Sequence, residues 1–225
     1  LDRASDDEYL KFFAIGYVCL LSVRNIEYTT QAINKLFSFF KNKKLYNKMS
    51  AEAVANCVEA ISMVLCCFSV SAASDVFHDD VSEVLDRAFE SAEGPILLTA
   101  LNLFSLQSEN LLERQYIDEN DEEGAEPKPE AEEIWNDFVE RFKQSIRSAP
   151  SGVNKKDRKA VREKSKAVLA NIEGESLSAK ITVNIQTGEI CGAKKLILME
   201  ATKKVARFHF EQMMVINKGL QTMFG

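Results

Sequence analysis

The chain has 225 residues, 46% apolar and 28% charged, with a formal net charge of −6. That supplies apolar material for one large or two small domains and excludes a disordered tail. With 4 Pro and 9 Gly it is too poor in turn residues for an all-β chain, no apolar run approaches the roughly 18 residues of a membrane span, and Leu1 in place of a start Met points to a piece of a longer protein.

The first 110 residues read as successive amphipathic helices. Leu10, Phe13, Tyr17, Leu20 and Leu21 recur three and four apart, and Ile26, Ile33, Leu36, Phe37 and Phe40 resume the pattern after Arg24-Asn25. Val54, Val58, Ile61, Leu65 and Phe68 give the most regular stripe, behind Ser50 as a predicted N-cap. Val81, Val84, Leu85, Ala88 and Phe89 follow Asp80, another predicted cap. Gly94-Pro95 opens the next helix, because a first helical turn does not need the amide that Pro lacks. Ile96, Leu97, Ala100, Leu101 and Phe104 continue it. Units of about 40 residues fit a HEAT/armadillo-like α-solenoid, and the same stripes also satisfy a compact helical bundle. Phe37, Phe39 and Phe40 read as core rather than cofactor contacts.

Tyr116–Glu133 holds nine acids against Lys128 alone among the bases, with Pro127 and Pro129, and reads as a mobile loop. It is not a calcium loop: Glu123 stands where the sixth-position Gly belongs, and Pro129 where the twelfth-position Glu belongs. Ile134, Trp135, Phe138, Val139, Phe142 and Ile146 make a further helix. Ser148–Gly152 is the predicted linker, so residues 1–149 form the acidic body and 150–225 a small basic α+β domain.

Charge switches sign near that linker. Residues 151–225 carry 14 Lys/Arg against 7 Asp/Glu, a net +7; the first 150 carry 14 against 27, a net −13. Such a split suits either an anionic partner for the basic end or attraction between two halves of one fold. Asn154 can cap a helix in which Lys155, Lys159, Arg162 and Lys166 share one sector. Val161, Val168, Leu169 and Ile172 share another, and Gly174 ends the run. A row of cations suits a phosphate backbone; a solvated helix face is the plainer reading. Ile181, Val183 and Ile185 alternate as in a strand, Thr187-Gly188 signals a turn, and Glu189-Ile190-Cys191 is a candidate return strand. Ile197, Leu198, Ala201, Val205 and Phe208 predict a helix, with Lys194, Lys195, Lys203 and Lys204 at its edges or away from it. Asn217 is a predicted cap for a last short helix bearing Leu220, Met223 and Phe224.

Cys19, Cys57, Cys66, Cys67 and Cys191 are odd in number and follow no framework spacing, which suits free thiols in a reducing compartment. Cys66-Cys67 lies among apolar residues and reads as core. His78 and His209 have no partner at metal-ligand spacing, and no phosphate-loop, dinucleotide or nucleophile-elbow motif occurs. The reading is a protein that is not an enzyme and takes no cofactor, no metal and no small-molecule substrate. Without a heptad seam it is expected to be a monomer.

The tail carries a resemblance. Asn154-Lys-Lys-Asp-Arg158, a predicted β element, a Lys194-Lys195 helix and Asn217-Lys-Gly-Leu220-Gln-Thr-Met-Phe224 resemble, in order and spacing, the C-terminal domain of the interferon-related developmental regulator family. The helical body is similar in kind to that family's armadillo-like region. The sequence departs from the pattern at Ala206–His209, where the family places a Gly-rich turn, and at Gln221, where many members have Arg. The resemblance implies binding to non-translating ribosomes across the small subunit's P and E tRNA sites, with a C-terminal helix in the mRNA path. It implies rRNA contacts from Lys155, Lys156, Arg158 and Lys159, and from Lys194 and Lys195. Arg162, Lys166, Lys203 and Lys204 extend that predicted surface. Asn217, Lys218, Leu220 and Phe224 would lie on the mRNA-path helix. The implied setting is cytoplasmic; some members are also described as transcriptional co-regulators, which would add the nucleus.

Overall fold

A computed structural model describes residues 26–117, 129–174, 176–190 and 192–224. The predicted stripe from Leu10 to Leu21, Cys19 and Cys191 lie outside them. Nearly all of the described chain is helical, and no strand occurs among the described residues.

Helix α1 spans Ile26–Lys41 and buries Ile33, Leu36, Phe37 and Phe40. A four-residue α2, Lys43–Tyr46, is capped by Asn42, whose Oδ1 accepts from the amides of Lys44 and Leu45. Helix α3, Ala51–Leu65, starts where predicted, with Ser50 Oγ accepting the Ala53 amide at 3.2 Å. One π-helical turn, Ala72–Val76, then leads into α4, His78–Phe89.

Asp80 is not the cap of α4. The helix begins two residues earlier, leaving Asp79 and Asp80 in its first turn, where carboxylates complement the helix dipole. Asp80 pairs instead with Lys41 at the end of α1. Helix α5, Gly94–Arg114, opens at Gly94-Pro95 as predicted. Its apolar face is broad: Leu103 and Leu106 are buried along with the predicted Ile96, Leu97, Ala100, Leu101 and Phe104, and the strip of Thr99, Asn102, Ser105, Glu109 and Glu113 is partly exposed. So wide an apolar face places the helix at the centre, and α5 touches α3, the π-helical turn, α4 and the four helices that follow.

Helix α6 spans Pro129–Gly152. The predicted mobile loop is therefore corrected at its end, because residues 129–133 are the first turn of a helix. Pro129 needs no amide there, and Glu130 and Glu132 suit a helix start. Residues 118–128 lie outside the described chain. The predicted linker is corrected too: Ser148–Gly152 closes α6, with Pro150 inside its last turn. Helix α7, Arg158–Glu173, ends at Gly174 as predicted.

The small β element is replaced by helix α8, Ser176–Thr187. Ile181 lies on the buried side and Val183 is 53% exposed. Leu177, Ile181 and Ile185 stand four apart, so a helix stacks them on one side as readily as a strand lines up the last two with Val183 on one face. The turn signal was a helix end. Gly188 takes φ 66°, and its amide donates to the Asn184 carbonyl at 2.7 Å. Helix α9 then runs unbroken over Gly192–Phe224. Asn217 accordingly sits within α9 and caps no separate helix.

One apolar cluster links α1, α3–α7 and the start of α9, crossing the predicted body–tail boundary through Val153, Val161, Val168, Ile172, Ala193 and Ile197. Its aromatic centre joins α4, α5 and α6: Phe104 lies 5.5 Å from Phe138 and 5.9 Å from Phe142, and Phe89 lies 6.0 Å from Phe142. Offset ring pairs at these separations add to area burial. The Trp135 indole N–H donates to the Ser108 carbonyl at 3.2 Å, pinning the outer side of α6 to α5.

Candidate nucleic-acid interface

The cationic segment is seated by three contacts. Asn154 Oδ1 accepts the amides of Lys156 and Asp157, each at 3.1 Å, which folds the chain into a turn before α7. Asp157 then lies against the start of α5, so close that a Cβ built on Gly94 would stand 2.2 Å from the Asp157 Cβ. Only a residue without a side chain fits opposite it. Finally the Arg158 guanidinium donates to the Val153 carbonyl at 3.2 Å, while Val153 and Val161 are buried.

These anchors turn the cations outward. Lys155, Lys156, Arg158, Lys159, Arg162 and Lys166 are all exposed. Opposite them Val161, Ser165, Val168 and Ile172 face the core. The predicted two-sided helix forms only from Arg158 onward: Lys155 and Lys156 lie in the turn before it, and Asn154 closes that turn and does not cap the helix. Among the described residues, the ion pair on this face is Lys159–Glu163 at 3.9 Å, between side chains 87% and 68% exposed. Such a pair neutralises little. Lys155 to Lys159 also sit at the positive end of the α7 dipole, which strengthens their pull on an anion.

Sequence reasoning missed Lys164, on the flank of α7. It is partly buried, and burial lowers its pKa against the opposing pull of Glu59 and Glu200. It therefore faces the acids of α3 and α9 rather than a partner. The signal available was its position: Lys164 stands three and four residues from Val161 and Val168, the core-facing positions, and outside the sector of the other cations.

The predicted lysines of α9 are divided. Lys194 is partly buried beside Glu113, and its backbone amide, with that of Ala193, donates to Glu109. Ala193 meets both carboxylate oxygens, at 3.0 and 2.7 Å. Gly192 supplies the φ of 62° that this approach needs; a Cβ there would also lie 2.5 Å from a Glu109 oxygen. Lys195 is exposed. Lys203 pairs with Glu200 at 3.0 Å, and Lys204 pairs with Glu59 on α3. Part of the predicted α9 surface is therefore held on the body's own acids.

Beyond Lys204, α9 leaves the body. Phe210, Met213, Met214, Val215 and Ile216 are more than half exposed, and Asn217 and Lys218 are exposed as well. Leu220 and Phe224 continue the helical backbone, and their side chains, like those of Val205 and Phe208, lie outside the described residues.

Cys66 stands at the C-terminal cap of α3, and burial pushes its thiol up to about 12, so it stays protonated at neutral pH. Among the described residues no three His, Cys, Asp or Glu side chains converge as a metal would require, and no helix is long and apolar enough to cross a membrane. In comparisons with known proteins, no family model, no curated protein and no solved structure matches the chain.

Proposed function

We propose that this chain is a divergent member of the interferon-related developmental regulator family, with an armadillo-like body, and that it acts as a ribosome-binding dormancy factor. It blocks by occupation: the cationic start of α7 sits on small-subunit rRNA, and the far half of α9 enters the mRNA path, so tRNA and mRNA are excluded from the P and E sites. The observation that carries this reading is the run of exposed cations, Lys155 and Lys156 in the turn before α7 and Arg158, Lys159, Arg162 and Lys166 on α7 itself, a helix whose Val161, Val168 and Ile172 are locked into the core. A rigid basic row matches a dense phosphate surface. The acidic body is repelled by bare RNA and would face basic ribosomal proteins.

The test is binding to purified small subunits as salt is varied. Reversing Lys155, Lys156, Arg158 and Lys159 to Glu should weaken binding at least a hundredfold. The log–log salt slope should flatten by about 0.7–0.9 for each lost phosphate contact. Unchanged affinity and slope would place the contact elsewhere. Sucrose-gradient sedimentation of resting-cell extract should put the protein with ribosomal particles.

The exposed apolar stretch Phe210–Ile216 favours a second reading, a protein-interaction scaffold acting as a transcriptional co-regulator. Partners of that kind survive nuclease treatment, whereas association through rRNA does not.

A further inference from the structure

We infer that α9 is a self-association helix: its outer side pairs with the same side of a second copy of this chain, in parallel and in register, as a two-stranded coiled coil. The helix runs 33 residues, about 50 Å, and beyond Lys204 it stands clear of the body.

Residue numbers set the seam. Leu196, Lys203, Phe210 and Asn217 stand seven apart, and Met199, Ala206 and Met213 each follow three residues after one of them. These are the a and d positions of a heptad, and the numbering carries on through Leu220 and Phe224, for about four heptads in all. Two polar a positions interrupt the repeat, so the sequence does not show it as an unbroken apolar seam. The fold leaves this side open. Lys203, Ala206 and Asn217 are exposed, and Leu196, Met199, Phe210 and Met213 are 47% to 66% exposed. The residues that hold α9 to the body, Ala193, Ile197 and Ala201, are centred about 140° away round the helix. Two copies can therefore join along the seam with their bodies pointing apart.

The seam also selects its occupant. A helix standing in water without tertiary packing is marginal, and a partner helix supplies the missing packing. A repeat of 3.5 residues fits a second helix wound round this one rather than a flat surface. Asn217 lies within the apolar far half. A lipid surface or an apolar groove would bury its amide unpaired. An identical chain in parallel register sets a second amide opposite, and each amide carries both donors and an acceptor. Antiparallel pairing would set a against d and leave Asn217 facing an apolar side chain. Charge agrees with the parallel form, in which Lys195 at g faces Glu200 at the partner's next e position. Glu200 also holds Lys203 of its own chain at 3.0 Å, which offsets the charge of the other polar a position. Pairing covers the side of α9 that the proposed function sends into the mRNA path, and it uses none of the α7 cations, so it stands or falls apart from ribosome binding.

The test is sedimentation equilibrium of the full chain over a range of concentrations. The mass should rise from 25.3 kDa to about twice that value. Phe210→Asp with Met213→Asp should weaken association at least a hundredfold. Both positions are exposed, so the body should keep its thermal melt. Reversing Lys155, Lys156, Arg158 and Lys159 to Glu should leave the mass unchanged, which separates pairing from the ribosome contact of α7. Orientation is read by cross-linking. Under mild oxidation Met213→Cys, at d, should give an intermolecular disulfide beyond that of the parent chain, and Val215→Cys, at the outermost f position, should not. Met199 and Met213 should also react with peroxide more slowly at high protein concentration than in the dilute, unpaired chain. A mass of 25.3 kDa up to about 100 µM overturns the inference. So does an assembly of more than two copies, a dimer indifferent to the paired Asp substitutions, or cross-linking at 215 in preference to 213.

Discussion

Glu109 grips the first turn of α9 with a carboxylate that its surroundings resist charging. Burial, opposed by the Ala193 amide and aided by Glu113, pushes it up to about 7 from 4.5. The sign follows directly. A carboxyl whose folded pKa is raised stabilises the fold most below about pH 4.5, and that stability is lost as pH climbs through about 7. The whole shift is worth roughly 3 kcal/mol. Urea unfolding should therefore show the wild-type midpoint falling between pH 5.5 and pH 8. Glu109→Gln keeps an acceptor for the Ala193 amide but cannot ionise, so its midpoint should fall much less over the same range. Equal pH profiles would mean that Glu109 does not control the root of α9. Little of this was legible from sequence, since Glu109 and Ala193 are joined only by the fold. The neighbouring cation row was legible, because its sector could be drawn from residue numbers alone.

Among elements, the apolar stripes of α1 and α3–α7 were readable because each buries one side at a period of 3.6 residues. The stretch around Ile181 was not. A spacing of four, as from Ile181 to Ile185, satisfies period 2 and period 3.6 alike, and the β-branched Ile181, Val183 and Ile185 tilt the choice toward a strand. Contact with α5 and α7 decides for the helix. The two forms differ in energetics: a strand would place Ile181 and Val183 on one side, whereas α8 buries Ile181 at 5% and exposes Val183 at 53%. Ile181→Ala should cost about 2–4 kcal/mol in chemical denaturation, and Val183→Ala less than about 0.5. Similar losses at both positions would restore the strand. Asp80 shows the same kind of ambiguity at a helix end: an acid can serve as cap or as first-turn residue, and only the backbone tells which.

For the whole molecule, the charge division is real in sequence but is crossed by the packing. Val161, Val168 and Ile172 share the cluster of the acidic body, and Arg147–Glu173 at 2.9 Å ties α6 to α7. A sign change along the chain reports where charge lies and says little about where a core ends. The path of α9 has a chemical consequence. Met199, Met213 and Met214 are 47%, 59% and 56% exposed, whereas Met63 is 4% exposed inside α3. Thioethers open to water become sulfoxides while shielded ones persist. Brief peroxide treatment followed by peptide mass spectrometry should therefore mark Met199, Met213 and Met214 well before Met63, and equal labelling would place α9 elsewhere. Each conversion makes an apolar side chain polar, so a cell under oxidative stress would alter this arm first and leave the folded body intact.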